Sequence, residues 1–168
     1  MNITATKARL AGIGLASLGV AAALTVSAAP AIAAGSVGAE QRCAVNVATR
    51  QTACAANEAR AAQLSGVGAL SVKAVTLYDG TNYSGASITY YVAKACTAGY
   101  DGEYGVGDLG ADGWNNRASS LKTFNRCDAH LHDGVNYTGA VSTWIDASAN
   151  LAAIGGGWSN RASSMGIS

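Results

Sequence analysis

The feature that most constrains this chain is an internal repeat. Residues 77–86 and 131–140 are identical at seven of ten positions and lie 54 residues apart. Residues 114–120 and 158–164 are identical at six of seven positions and lie 44 residues apart. Two copies of one unit therefore follow one another, and the second copy is ten residues shorter in its middle.

The sequence pattern of the repeated units is typical of short strands joined by turns. Residues 75–78 alternate apolar and polar side chains, which places Val75 and Leu77 on one face of a strand. Asp79-Gly80 is a turn signal, and residues 88–92 alternate again. A glycine loop then leads to a closing strand over residues 119–124. The pattern predicts an all-β domain with about eight strands, arranged as a two-sheet sandwich of two Greek-key motifs.

Two spaced motifs give the units a resemblance to a known superfamily. Tyr78-x-x-x-x-Tyr83-x-Gly85 resembles the folded hairpin of the βγ-crystallins. Residues 115–120, Asn-Asn-Arg-Ala-Ser-Ser, resemble that superfamily's calcium motif. The resemblance covers residues 72–168, with units at about 72–126 and 127–168, and is to exported microbial members, which include metalloproteinase inhibitors and killer-toxin-like proteins.

The resemblance implies two calcium sites that share ligands between the units. The oxygen donors it implies are side chains or carbonyls of Asn116, Arg117, Ser119, Asn160, Arg161 and Ser163, with hairpin-loop carbonyls of Asp79 and Asp133. The alternative is that Asn and Ser simply brace the loop through hydrogen bonds to the backbone, a part we expect for Ser120 and Ser164. Neither motif contains an acidic residue, so any calcium binding is expected to be weak.

The second unit departs from the superfamily pattern at two positions. His132 stands where the first aromatic residue is expected, and Ser159 begins the second calcium motif instead of Asn or Asp. His130 and His132 lie two residues apart on one strand face. Such a pair can hold a metal weakly but is more often structural, and a third ligand is missing.

The N-terminus is predicted to be a cleaved signal peptide, residues 1–33. A short basic region precedes an apolar run over residues 10–26, and Ala31-Ile32-Ala33 is a small-residue pattern that suits signal peptidase. The alternative is an uncleaved membrane anchor, but the run is mostly Ala and Gly. We expect a secreted, extracellular protein.

Charge excludes several classes of partner. Removal of residues 1–33 takes away two of the 11 basic residues and none of the 10 acidic ones, which leaves a net charge near −1. No basic run remains, so nucleic acid and, after signal cleavage, membranes are not expected as partners. We expect a monomer.

Four cysteines follow the signal, and an even count in an exported chain favours disulfides. Three pairings are open on composition alone. Cys96 follows the second strand of the first unit and Cys127 precedes the first strand of the second, which favours Cys96–Cys127 and Cys43–Cys54.

Residues 34–71 form an extension that is rich in Ala and differs in composition from the repeats. Residues 52–64 are consistent with a helix capped by Thr52 and stopped by Ser65-Gly66. The alternative is a loosely ordered extension.

The sequence contains no catalytic constellation, so we predict a protein that is not an enzyme. The first hypothesis is a calcium-responsive structural or binding module. The second is an inhibitor of a secreted peptidase, with its contact loop within residues 97–113 and contacts from Tyr100, Asp101, Glu103 and Tyr104. A third is a cell-wall-binding or toxin-like role. Trp114 and Trp158 are expected in the core rather than stacked on sugars.

Overall fold

The structure, a computed structural model, describes residues 40–168. The predicted signal peptide lies outside the described residues, as do residues 34–39 of the extension. Within residues 40–168, no helix is long and apolar enough to cross a membrane.

The described chain consists of nine strands and one short α-helix. In chain order the elements are β1 Arg42–Asn46, β2 Gln51–Ala55, α1 Glu58–Leu64, β3 Val72–Tyr78, β4 Ser87–Val92, β5 Tyr104–Val106, β6 Ser120–Thr123, β7 Ala129–His132, β8 Ala147–Ser148 and β9 Ser164–Ile167. Single 3₁₀ turns lie at Gly110–Asp112, Val135–Tyr137 and Leu151–Ala153.

The strands form two sheets. Sheet A has six strands in the order β2-β1-β4-β3-β6-β8, and sheet B has three in the order β5-β9-β7. The third strand of each repeat lies in the other repeat's sheet: β5 pairs with β9, and β8 pairs with β6. This exchange confirms the predicted fold, two Greek-key motifs that form one βγ-crystallin-like sandwich.

The core lies between the sheets and follows the predicted alternation. Val75 and Leu77 of β3 are fully buried, and Ile88, Tyr90 and Val92 of β4 are buried beside them. At roughly 25 cal/mol per Å² of apolar surface, each such side chain stabilises the fold by about 1.5–3 kcal/mol. Both units contribute to this one cluster.

The second strand of the second unit is less regular than predicted. Residues 141–145 make isolated bridges, Val141 to His132 and Ile145 to Ala129, in place of a continuous ladder. The Ser142 hydroxyl accepts a hydrogen bond of 2.9 Å from the Leu131 N–H. Because a side chain satisfies this donor, the ladder is interrupted, and residues 72–168 contain seven regular strands rather than eight.

The extension folds differently from the prediction over residues 52–64. Thr52 lies in β2 and pairs with Val45 of β1, so it does not cap a helix. Helix α1 begins at Glu58, and Asn57 is its cap, accepting a 2.9 Å bond from the Arg60 N–H. Its end before Ser65 agrees with the prediction.

The extension is an integral part of sheet A. β1 runs parallel to β4 and covers its edge. Helix α1 lies on the outer side of the sheet, where Glu58 accepts a 2.6 Å hydrogen bond from the Tyr91 hydroxyl and pairs with Lys73 at 2.9 Å. Burial tends to raise the pKa of Glu58, but these bonds outweigh it and hold that pKa below its usual value.

Both disulfides have the predicted pairing. Cys43 and Cys54 face each other directly in the β1–β2 register. Cys96–Cys127 joins the end of the first repeat's second strand to the connection between the repeats. Paired cysteines of this kind are typical of oxidising compartments.

Candidate calcium sites at the junction of the two repeats

Each repeat contains a folded hairpin after its first strand. In the first hairpin, Tyr78 and Tyr83 meet edge to face with ring centroids 5.8 Å apart. Gly85 has φ of +79°, and a Cβ there would collide with the Asp79 carboxylate, so only glycine fits. The second hairpin has the same arrangement, with His132 and Tyr137 5.9 Å apart.

A serine holds each hairpin to the sheet. The Ser120 hydroxyl donates to the Gly80 carbonyl at 2.6 Å and accepts from the Tyr83 N–H at 3.0 Å. Ser164 makes the equivalent bonds to Gly134 and Tyr137, at 2.6 and 2.9 Å. These are the structural roles expected for Ser120 and Ser164.

The two calcium-motif loops meet across the junction of the repeats. Asn116 and Asn160 both have left-handed backbone conformations, with φ of 53° and 55°. The Asn116 N–H donates to the Ala162 carbonyl and the Asn160 N–H to the Ala118 carbonyl, each at 2.8 Å. Each motif is therefore held in place by the other repeat.

Ligands implied for one site come together from the two repeats. The Ser119 hydroxyl lies 3.4 Å from Asn160 Oδ1, and the Ser159 hydroxyl lies 3.1 Å from that of Ser119. Ser119 and Ser163 are both nearly buried. The departure at Ser159 thus places one more hydroxyl oxygen beside this site.

The arginine of each motif makes a pair of contacts that sequence reasoning missed. Arg117 lies over the Trp114 ring at 4.6 Å and pairs with the Asp79 carboxylate at 2.9 Å. Arg161 repeats this with Trp158 at 4.6 Å and Asp133 at 2.9 Å. The signal was present in the sequence, because the same Asp, Trp and Arg recur in both units.

We call these contacts the Trp–Arg–Asp clips. In each clip an arginine forms an ion pair with an aspartate carboxylate. The hydrogen bond from Arg161 is the main reason that the pKa of Asp133 lies below its usual value. Each arginine contacts the Oδ2 atom of its aspartate, and the donors that the resemblance implies at Asp79 and Asp133 are the backbone carbonyls. Trp114 and Trp158 are each only 2 % exposed, so neither presents a ring to a sugar.

The donors that the resemblance implies are all neutral oxygens. Within the part of the chain that the structure describes, no group of three or more His, Cys, Asp or Glu side chains is placed to hold a metal ion. Amide, hydroxyl and carbonyl oxygens suit a hard cation such as calcium, and a site without carboxylates has low affinity. The residues present therefore fit calcium as a weakly bound ion.

The predicted contact loop divides into two parts. Residues 104–106 form β5, and Leu109 is buried in the core, so the second part belongs to the framework. Tyr104 therefore lies in a strand rather than in a free loop.

Residues 97–103 form the exposed part of that loop. The Ser168 hydroxyl holds this segment, because it donates to the Gly99 carbonyl at 2.6 Å and accepts from the Asp101 N–H at 2.8 Å. Both carboxylate oxygens of Glu103 accept from the Thr97 N–H at 3.0 Å. Tyr100 is 67 % exposed.

The histidine pair lies on β7 as the spacing predicts. The rings of His130 and His132 meet edge to face with centroids 4.7 Å apart. His132 is buried, and neither of its ring nitrogens has a hydrogen-bond partner among residues 40–168. Burial is the main cause that lowers the pKa of both side chains.

No family model and no curated protein matches this chain. Solved structures similar to it include the N-terminal domain of protein S, at 19% identity over 58% of this chain and 96% of that one, with a TM-score of 0.42. A βγ-crystallin domain from Flavobacterium johnsoniae is 23% identical over 56% of this chain and 93% of that one, with a TM-score of 0.41. A double mutant of a βγ-crystallin domain from Clostridium beijerinckii is 25% identical over 57% of this chain and 97% of that one, with a TM-score of 0.42.

The fold of residues 72–168 is a βγ-crystallin-like sandwich. This assignment rests on the strand exchange, in which β5 of the first repeat lies in sheet B and β8 of the second repeat lies in sheet A. The disulfide-bonded hairpin of β1 and β2 adds two strands to sheet A, and helix α1 follows it in the chain.

Proposed function

We propose that the protein is an exported, non-catalytic βγ-crystallin-like module whose two repeats are braced by weakly bound calcium. The observation that carries the proposal is the meeting of Ser119 and Asn160, from different repeats, at 3.4 Å. A cation held there joins the two motif loops. Export is supported by the signal-like sequence of residues 1–33 and by two disulfides.

Because of the Trp–Arg–Asp clips, we expect the fold to form without the ion. Each clip already ties a motif loop to its own hairpin through an ion pair of 2.9 Å. Calcium adds a second tie, between the repeats. The neutral donors predict a dissociation constant of about 10⁻⁴ to 10⁻³ M, a range suited to extracellular calcium.

Calorimetric titration of calcium into the protein lacking residues 1–33 tests this proposal. Ser119→Ala and Ser163→Ala each remove one hydroxyl donor and should weaken binding severalfold while the calcium-free protein stays folded. Ser71→Ala is the matched control. Ser71 lies just before the start of β3, whereas the hairpin follows the end of that strand. Absence of titration heat at millimolar calcium in the unmodified protein contradicts the proposal.

A second candidate function, inhibition of a secreted peptidase, is favoured by one observation. Residues 97–103 form an exposed loop fixed at both ends, by the Cys96–Cys127 disulfide and by β5, and Ser168 holds its middle. A loop held in this way loses little conformational entropy when it enters a peptidase cleft.

A panel of secreted metallo- and serine peptidases tests the second candidate. Tyr100→Ala should reduce inhibition without lowering the melting temperature, because this side chain is 67 % exposed. No inhibition of any panel member at micromolar protein removes this candidate.

A further inference from the structure

The outer faces of the two sheets are covered differently. On sheet A, helix α1 lies over the outer side through Glu58, which bonds Tyr91 and Lys73. Sheet B has no equivalent helix among residues 40–168. Its outer face carries a groove of about 390 Å³ lined by Gly102, Glu103, Tyr104, Gly105, His130, Tyr137 and Gly166.

The groove lies over one row of residues across sheet B. Strand register places His130, Gly166 and Gly105 side by side. The equivalent row of sheet A consists of Thr76, Lys122 and Ala147. The two repeats thus differ at all three positions of this row.

In sheet A a lysine side chain stands at the position equivalent to Gly166. The Lys122 ammonium lies 4.0 Å from the centre of the Tyr83 ring, so the aliphatic stem covers the strand. In sheet B the counterpart, Gly166, has no side chain, and the counterpart of Tyr83 is Tyr137. The Tyr137 ring rests on Gly105, where a Cβ would collide with it, and His130 rests on Gly166 in the same way.

Aromatic rings extend from the groove into solvent. His130 stacks on Trp144 with centroids 4.1 Å apart and planes 23° from parallel. Trp144 stacks on Tyr100 at 5.3 Å and 25°. Tyr100, at the end of this stack, is 67 % exposed, and Tyr137, which lines the groove, is 46 % exposed.

The charges around the groove exclude an anionic ligand. Its lining contains no Lys or Arg, and its one charged residue is the carboxylate of Glu103. Burial, with a smaller effect of His132, lowers the pKa of His130, so this imidazole is neutral at pH 7. Phosphates and nucleic acids, which require cations, do not fit.

We propose that this groove binds a neutral polysaccharide chain. Sugar rings have apolar C–H faces that pack on aromatic rings and hydroxyl edges that donate to acceptors. Tyr137 and Tyr100 offer the faces, and the Glu103 carboxylate offers an acceptor with capacity beyond its bonds to Thr97. The proposal concerns a surface separate from the calcium-motif loops and does not depend on calcium.

The test uses soluble and insoluble glycans. Cellotetraose, chitotetraose and xylotetraose are titrated into protein expressed from the full chain, in the presence of chelator, and binding to cellulose and chitin is measured by sedimentation. We expect binding to at least one glycan, accompanied by a change in tryptophan fluorescence, because Trp144 is partly exposed whereas Trp114 and Trp158 are buried.

Two variants with a matched control assign the site. Tyr100→Ala removes an exposed ring and should weaken binding roughly tenfold at unchanged melting temperature. Tyr137→Ala should abolish binding, whereas Tyr83→Ala removes the same ring from the equivalent hairpin on sheet A and should leave binding intact.

Three results overturn the proposal. The first is absence of binding to every glycan at millimolar oligosaccharide. The second is equal loss of binding in Tyr83→Ala and Tyr137→Ala. The third is Tyr100-dependent binding of gelatin without binding of any glycan, which assigns the groove to peptides. Failure of calcium to bind leaves all three readouts unaffected, so the two proposals fail separately.

Discussion

At the scale of single residues, His132 marks the largest chemical difference between the two hairpins, since it stands where the first repeat has Tyr78. Both side chains meet a tyrosine edge to face at nearly the same distance. His132 is only 8 % exposed, and its nitrogens have no hydrogen-bond partner among the described residues. A buried polar group without a partner costs about 1–3 kcal/mol.

His132→Tyr should therefore raise the free energy of unfolding at pH 7 by about 1 kcal/mol. The pKa of His132 is lowered in the folded state, so the unfolded chain takes up the proton first as pH falls below about 6.5. Above that pH the imidazole is neutral in both states and the free energy of unfolding does not change with its titration. As pH falls toward the folded-state pKa, protonation of the unfolded chain lowers the free energy of unfolding. The variant's advantage, measured by urea unfolding, should be larger at pH 5 than at pH 7.

The converse change, Tyr78→His, is the control and should destabilise the first repeat. Equal stability of His132→Tyr and the unmodified protein at both pH values contradicts this reading of His132.

Glycine in the folded hairpins supplies a second residue-scale prediction. Gly139 has φ of +78°, and a Cβ there would collide with the Asp133 carboxylate. Gly139→Ala should therefore lower the free energy of unfolding by about 2 kcal/mol. Gly155→Ala is the control, because a Cβ at that position meets nothing within 4 Å. Chemical denaturation that finds equal effects for the two variants argues against a required glycine.

At the scale of elements, the two disulfides hold different parts of the sandwich. Cys43–Cys54 closes a hairpin within the extension, with 11 residues of separation, and Cys96–Cys127 spans 31 residues and reaches the connection between repeats. In the chain-entropy account, a longer closed loop gives more stabilisation.

Replacing Cys96 and Cys127 with Ala should cost between about 3 and 4 kcal/mol, and replacing Cys43 and Cys54 about 3 kcal/mol. Guanidinium unfolding of the two double variants measures both. Non-reducing peptide mapping that joins Cys43 to Cys96 or Cys127 contradicts the pairing itself.

Elements with a local signal were predictable from sequence, and those set by distant contacts were not. Alternation placed the core faces of β3 and β4 correctly, because burial on one face imposes a period of two. Residues 52–55 have helix-forming alanines, but their pairing with β1 outweighs that propensity. The parallel contact between β1 and β4 leaves no trace in either strand alone.

The candidate site shows the same division. The repeated motif located Ser119 and Asn160 in sequence, but their proximity follows from the strand exchange between repeats. The engagement of Asp79 by Arg117 was available from the repeat pattern and was missed. The open groove depends on the register of Gly105 against Gly166, which sequence reasoning did not supply.

At the scale of the whole molecule, two similar repeats form one domain whose faces differ. Exchange of β5 and β8 makes each sheet depend on both repeats, so neither unit can bury its core alone. The extension adds strands and a helix to sheet A, whereas on sheet B the rings of Tyr137 and His130 rest on a row containing two glycines. The junction between repeats is where the proposed calcium ion would contact both halves at once.

The melting temperature in millimolar calcium and in chelator tests the central claim most directly. A ligand that binds only the folded state stabilises it by mass action, so the protein should melt higher with calcium. Asn116→Asp adds a carboxylate to the motif and should enlarge the difference. If neither the unmodified protein nor Asn116→Asp changes its melting temperature with calcium, the motifs serve only to brace their loops and the calcium account is wrong.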